Sequence, residues 1–109
     1  MSAITTHVLD TARGRPAAGV PVCLERDGRV LGEGATDDDG RLRTLLPAGA
    51  PLEPGVYRLT FGTGAYFAAR GTDAFYPRVQ IDFEVRDGAQ HYHVPLLLNP
   101  FGYSTYRGS

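Results

Sequence analysis

Three histidines, two of the arginines and a hydroxyl-rich ending are the groups in this chain whose types and spacing suit a reaction. The histidines are His7, His91 and His93. Alternation along Ala3–Leu9 puts Ile4, Thr6 and Val8 on one face and Thr5, His7 and Leu9 on the other. Along the segment from Gln90, Tyr92, Val94, Leu96 and Leu98 share an apolar face, while His91, His93, Pro95 and Leu97 face away. If these strands lie in one sheet, the imidazoles gather on its outer surface. The plain alternative is three solvent-facing strand histidines. A histidine titrates near neutral pH, so the chemistry that fits is activation of water. Arg41 follows an Asp-Gly turn and reads either as an exposed charge or as a fixed guanidinium for an anionic, planar substrate. Arg107 has the same two readings. Tyr106 beside it is either an exposed side chain or one filling space against a partner subunit.

Other chemistries fit poorly. His91-x-His93 with a distant His7 has a zinc spacing, but no carboxylate is placed to orient the rings, so no metal is expected. The run Asp37–Gly40 is no calcium loop. Aligning Gly40 with that loop's fixed glycine puts Ala35 and Leu46 at its first and last ligands. There is no nucleophile elbow, phosphate loop or dinucleotide fingerprint, and no cofactor is expected. Ser104 and Ser109 have no evident base, and Cys23 lies mid-strand among apolar residues, which makes covalent catalysis the weaker option.

The elements that must position these groups are short strands. Fourteen glycines and eight prolines punctuate alternating runs, the pattern of an all-β sandwich. Val20, Val22 and Leu24 share a face before a tight Asp27-Gly28 hairpin. Arg29–Ala35 is a weaker strand, and Arg41–Arg43 a short one after the aspartate turn. A proline-rich loop spans Pro47–Pro54. Tyr57, Leu59 and Phe61 alternate in the next strand, and Gly64–Arg70 is the single helical stretch. Arg78–Val85 alternates cleanly, with Val79, Ile81, Phe83 and Val85 inward. Asp87-Gly88 turns into the histidine strand, Asn99-Pro100 breaks it, and Gly102–Ser109 extends again. The expectation is eight strands with one short helix, in a single domain over residues 1–109.

With eleven basic and twelve acidic residues the net charge is −1, which offers nothing to a nucleic acid. A lone cysteine excludes an internal disulfide and permits a reducing compartment. No apolar run approaches the roughly 20 residues that cross a bilayer, and the first residues do not resemble a secretory leader. A cytoplasmic protein that binds no membrane is expected.

HYHVPLLL (His91–Leu98), a proline turn and the ending YSTYRGS (Tyr103–Ser109) resemble the transthyretin-related 5-hydroxyisourate hydrolases of purine breakdown. THVLD (Thr6–Asp10) and TDDDGR (Thr36–Arg41) match the family's other two blocks, so the likeness runs from Ile4 to Ser109. YRGS is its most specific part, because the carrier branch of the fold lacks it. One departure is NPFGYS at Asn99–Ser104, where many members have SPYGYS.

The resemblance implies a transthyretin-like eight-stranded sandwich, assembled as a homotetramer whose protomers join edge to edge and whose dimers face one another across a channel. It implies His7, Arg41, His93 and Ser109 as catalytic groups and Tyr106, Arg107 and Gly108 as substrate-binding ones. The implied reaction is hydrolysis of 5-hydroxyisourate to 2-oxo-4-hydroxy-4-carboxy-5-ureidoimidazoline. Arg41 would polarise the substrate, the histidines would activate water, Tyr106 would wall the pocket, and Ser109 would hold a histidine or the substrate in register. His91 matches a common residue of the pattern without a catalytic role. Two alternatives stand beside this: a small-molecule carrier using the channel without catalysis, and an Ig-like interaction domain with no pocket.

Overall fold

The computed structural model describes residues 2–109. Nine strands and one helix follow in order: β1 (Ile4–Asp10), β2 (Arg15–Pro16), β3 (Pro21–Arg26), β4 (Arg29–Ala35), β5 (Arg41–Leu42), β6 (Gly55–Phe61), α1 (Thr63–Ala69), β7 (Val79–Val85), β8 (Tyr92–Asn99) and β9 (Gly102–Thr105). The strand beyond the expected eight is the two-residue β2, formed where a turn alone was foreseen. It exists because β1 is long enough to pair Leu9 and Asp10 with Pro16 and Arg15 after β5 has taken Thr6 and His7.

Two sheets pack face to face. One has the order β2-β1-β8-β9 with β5 also on β1; the other is β4-β3-β6-β7. β1 and β8 are parallel, with Thr5 opposite His93 and His7 opposite Pro95. This sets the histidine-bearing segments side by side, although the paired residues are 88 apart in the sequence.

The alternation expected from the sequence supplies the core, although Thr5 and Pro95 on the outward faces are buried too and Ile81 and Phe83 are only half-buried. Ile4, Val8, Tyr92, Val94, Leu96 and Leu98 meet Val22, Leu24, Tyr57, Leu59, Phe61, Val79 and Val85 in one core. Apolar residues repeating every second position leave the opposite faces free for polar work. Asp10 shares the inward parity and is buried, accepting a hydrogen bond from Tyr66 Oη at 2.8 Å and from the backbone N–H groups of Ala12 and Arg13. Those bonds satisfy a carboxyl that water no longer reaches.

The helix forms one residue earlier than the expected Gly64–Arg70. Seven residues are too few to be helical alone. Burial of Tyr66 and Phe67, and the Tyr66–Asp10 bond, hold it. Its end is a Schellman motif: Gly71 takes φ +64°, its N–H bonds Ala68 O, and Thr72 N–H bonds Phe67 O.

The Asp27-Gly28 hairpin also forms as read, with φ of 52° and 76° as a type I′ turn demands.

Candidate active site

The turn before Arg41 is built on the Asp37 carboxylate, which accepts from the backbone N–H groups of Asp39 at 2.9 Å and Arg41 at 3.0 Å. These bonds hold its carboxyl below the ordinary carboxylate range. Gly40 closes the turn at φ +74°, and a Cβ there would meet Val8 O at 2.3 Å. That close approach lets Gly40 O accept from Val8 N–H at 2.7 Å, which brings Arg41 into register opposite His7. No salt bridge among the described residues involves Arg41.

His7 is half-buried on the face of β1 that points away from the core. Its Nε2–H donates to Asp39 O at 2.9 Å; a carbonyl only accepts, so neutral His7 carries its proton on Nε2. On the same face, Thr5 Oγ1 lies 2.8 Å from His93 Nδ1 and 3.1 Å from His91 Nε2. Burial lowers the pKa of both His7 and His93, and the Arg41 charge lowers each further. At neutral pH both imidazoles are therefore unprotonated and able to accept a proton.

The end of the chain folds back onto His93. Gly108 N–H donates to His93 O at 2.8 Å, and the two residues form an isolated antiparallel bridge. A Cβ on Gly108 would sit 2.5 Å from His93 Cδ2, so only glycine lets the tail lie flat on that ring. Thr105 Oγ1 secures the approach by donating to Pro95 O at 2.7 Å.

These groups surround an open cleft of ≈ 890 Å³. Arg41, His91, His93, Ser109 and Thr5 line it, with Arg43 and Gln90 adding polar groups at its wall. Two loops complete it: Gly49–Pro51 from the proline-rich segment and Gly88–Gln90 from the turn before β8. They pack so tightly that a Cβ on Gly88 would meet Leu52 O at 1.9 Å.

Of the residues singled out from the sequence, the structure brings Arg41, His93 and Ser109 into this cleft, with His7 on the same sheet face beside Arg41. Gly108 supports His93 from behind. Tyr106 and Arg107 do not line the cleft. They border a neighbouring groove of ≈ 320 Å³ that shares His93 with it. There Arg107 stacks over the Tyr92 ring at 4.5 Å and donates to Gln90 Oε1 at 2.9 Å, while Tyr106 is 57 % exposed.

Thr5 was assigned to the outward face but given no role, and the Asp39 carbonyl was not foreseen. In place of a carboxylate, the rings find a hydroxyl and a backbone oxygen. Parity with His7 was the available signal for Thr5; nothing in the sequence announces a carbonyl. Among the described residues no three His, Cys, Asp or Glu side chains converge as metal ligands. Burial, then Glu33 and Glu25, raise the Cys23 pKa and keep that thiol protonated.

The arrangement offers arginine charge, the neutral imidazole of His93 and a hydroxyl in one water-accessible cleft, with neutral His7 beside Arg41, which suits adding water to a polarised carbonyl. Known proteins resemble the chain throughout. The model of the HIUase/Transthyretin family matches residues 4–108. A 5-hydroxyisourate hydrolase of Caulobacter vibrioides is 52% identical over 117 residues, covering 100% of both chains. The solved structure of Klebsiella pneumoniae 5-hydroxyisourate hydrolase superposes with a TM-score of 0.90 at 46% identity, over 100% of this chain and 94% of that one. Sea bream transthyretin in complex with thyroxine shares the fold at a TM-score of 0.87 and 30% identity, over 97% and 94% of the two chains. Two sheets of matching topology, a cleft built on both histidine-bearing segments and these full-length similarities lead to one conclusion: the chain belongs to the HIUase/Transthyretin family.

Proposed function

We propose that this chain, as one transthyretin-like domain over residues 1–109, is a 5-hydroxyisourate hydrolase of urate breakdown, forming 2-oxo-4-hydroxy-4-carboxy-5-ureidoimidazoline. The observation that carries the reading is Arg41, His93 and Ser109 in one cleft with His7 beside it, in a chain 52% identical to a 5-hydroxyisourate hydrolase. Arg41 binds the electron-rich edge of the planar substrate and stabilises the oxyanion as water adds to the lactam carbonyl. His7 and His93 orient that water and take its proton. The new C–O bond forms, the ring C–N bond breaks, and the proton passes to the departing nitrogen. Ser109 holds the substrate or an imidazole in register, and Gly108 keeps the tail against His93.

Tyr106 and Arg107 act on the substrate from the assembled protein. Their groove opens at the margin of the protomer, and a homotetramer would bring such margins together around a channel. Supporting this, β7 and β9 each pair on one side only, and their open edges can receive a second copy. Tyr103 and Tyr106 are exposed beside the β9 edge. The proposal places the enzyme in the cytoplasm, where Cys23 stays reduced. Among the described residues no helix is long and apolar enough to cross a membrane.

A carrier role is less well served, since an apolar ligand gains most from apolar walls and this cleft presents two arginines, two imidazoles and Gln90. The test is to generate 5-hydroxyisourate in situ from urate with urate oxidase and to follow its ultraviolet decay. Turnover above the buffer rate is expected; decay no faster than the blank sinks the assignment.

A further inference from the structure

We propose that Thr5 and His91 are positioning residues that hold His93 in its Nδ1–H tautomer, so that Nε2 presents its lone pair to the cleft. The inference rests on the hydrolase reading for its use, though not for its geometry. Thr5 Oγ1 lies 2.8 Å from His93 Nδ1 and 3.1 Å from His91 Nε2, and Thr5 itself is 3% exposed. A hydroxyl has one proton. It can donate to one of these nitrogens and accept from the other, or accept from both, in which case His93 again carries its proton on Nδ1. Where the hydroxyl donates to a ring, the two rings are coupled and the chain of bonds runs in one of two directions.

In the first direction His93 Nδ1–H donates to Thr5, and Thr5 donates to His91 Nε2. His93 Nε2 is then a free acceptor. In the second, His91 Nε2–H donates to Thr5, Thr5 donates to His93 Nδ1, and His93 carries its proton on Nε2. Only the first leaves His93 a free lone pair in the cleft. Two features of the site select it. Arg41 lines the same cleft, and its positive charge favours a lone pair over an N–H dipole aimed at it. An imidazolium also needs both nitrogens as donors, so when Nε2 takes a proton from water the first direction survives unchanged, whereas the second must reverse. The bonds that set the resting tautomer therefore also hold the ring through the proton transfer. His91, which the sequence pattern left without a role, is the terminal acceptor that gives the Thr5 hydroxyl its direction.

The arrangement performs with neutral groups the task an aspartate performs for a catalytic histidine: it fixes tautomer and ring orientation. A buried carboxylate would raise the imidazole pKa strongly; hydrogen bonding to Thr5 raises it as well, but less than burial and Arg41 lower it. This agrees with a site in which burial and Arg41 keep His93 unprotonated.

The test is 15N-labelled histidine in the full chain, with two-bond proton–nitrogen correlation spectra taken above the histidine titration range. His93 is expected as the Nδ1–H tautomer, and His7 as Nε2–H because Asp39 O demands it. Thr5→Val keeps shape and strand preference but removes the hydroxyl. His93 should then move toward the Nε2–H form that free imidazole prefers, with His7 unchanged as the internal control of folding. kcat should fall about tenfold, on the scale of one lost hydrogen bond, with KM nearly constant. Thr5→Ser should restore both readouts. His91→Phe should act as Thr5→Val does, and His91→Gln, which keeps an acceptor, should recover much of the loss. An Nε2–H tautomer of His93 in the unaltered protein overturns the proposal, as does an unshifted tautomer in Thr5→Val. If the spectra behave as expected while the unaltered protein shows no turnover, the hydrogen-bond chain stands and the hydrolase reading falls.

Discussion

Gly108→Ala isolates the contact between the chain's end and His93 with a single methyl group. Gly108 does not occupy the left-handed backbone region, so alanine meets no conformational penalty there and the effect is purely steric. The added Cβ would lie 2.5 Å from His93 Cδ2, where ordinary contact begins near 3.4 Å, so about 0.9 Å must be given up. If the ring moves, Nδ1 cannot stay 2.8 Å from Thr5 Oγ1; if the tail moves, the 2.8 Å bond from Gly108 N–H to His93 O breaks and Ser109 leaves the cleft. Either route breaks one hydrogen bond, which costs about 1 kcal/mol of stability and roughly 5 °C in Tm. The same displacement at a reacting centre costs on the order of 100-fold in rate, or about 2.7 kcal/mol of barrier. The assay is 5-hydroxyisourate decay after in-situ generation, paired with a thermal melt. Turnover within about twofold of the unaltered protein would refute the idea that the tail is pressed against a working His93. A large Tm loss that accounts for the lost activity would recast the tail as structural.

Three further outcomes are expected. His7→Ala, Arg41→Ala and His93→Ala should each lower kcat/KM by at least about 100-fold with the melt little changed, and full activity in any of them removes that residue from the site. Because burial, then Arg41, depress His7 and His93 in the folded state, each resists protonation relative to the unfolded chain. Their stabilisation is complete above about pH 6.5 and is lost as pH falls through the folded values. Urea midpoints should therefore drop between pH 7 and 5, and the acid limb of kcat/KM should have its midpoint below about 6.5, moving upward in Arg41→Ala; a stability rise on acidification would contradict this. Tyr66→Phe should cost about 1–3 kcal/mol, seen as a lower urea midpoint, because it strips the buried Asp10 carboxyl of the donor at 2.8 Å. A midpoint unchanged within error would show that water replaces the phenol.

Much of the fold was legible because strand burial is a two-residue code. Alternation along Ile4–Val8 and Tyr92–Leu98 alone specified which side chains entered the core, and hence that His7 and His93 faced away from it. Asp27-Gly28 specified a hairpin through its need for positive φ. Even the site was partly visible, since parity separated His7, His91 and His93 from the apolar face. What the sequence could not state was adjacency. Parallel pairing of β1 with β8 and the placing of β5 on β1 bring Thr5, His7, Arg41 and His93 together across separations that no local pattern encodes. The same holds for the carbonyl of Asp39 and the backbone of Gly108, which act through position and not through side-chain identity. Residue type and spacing therefore determined which groups were available and which way they faced. Only tertiary packing decided which of them meet, because hydrogen bonds of about 3 Å depend on long-range register.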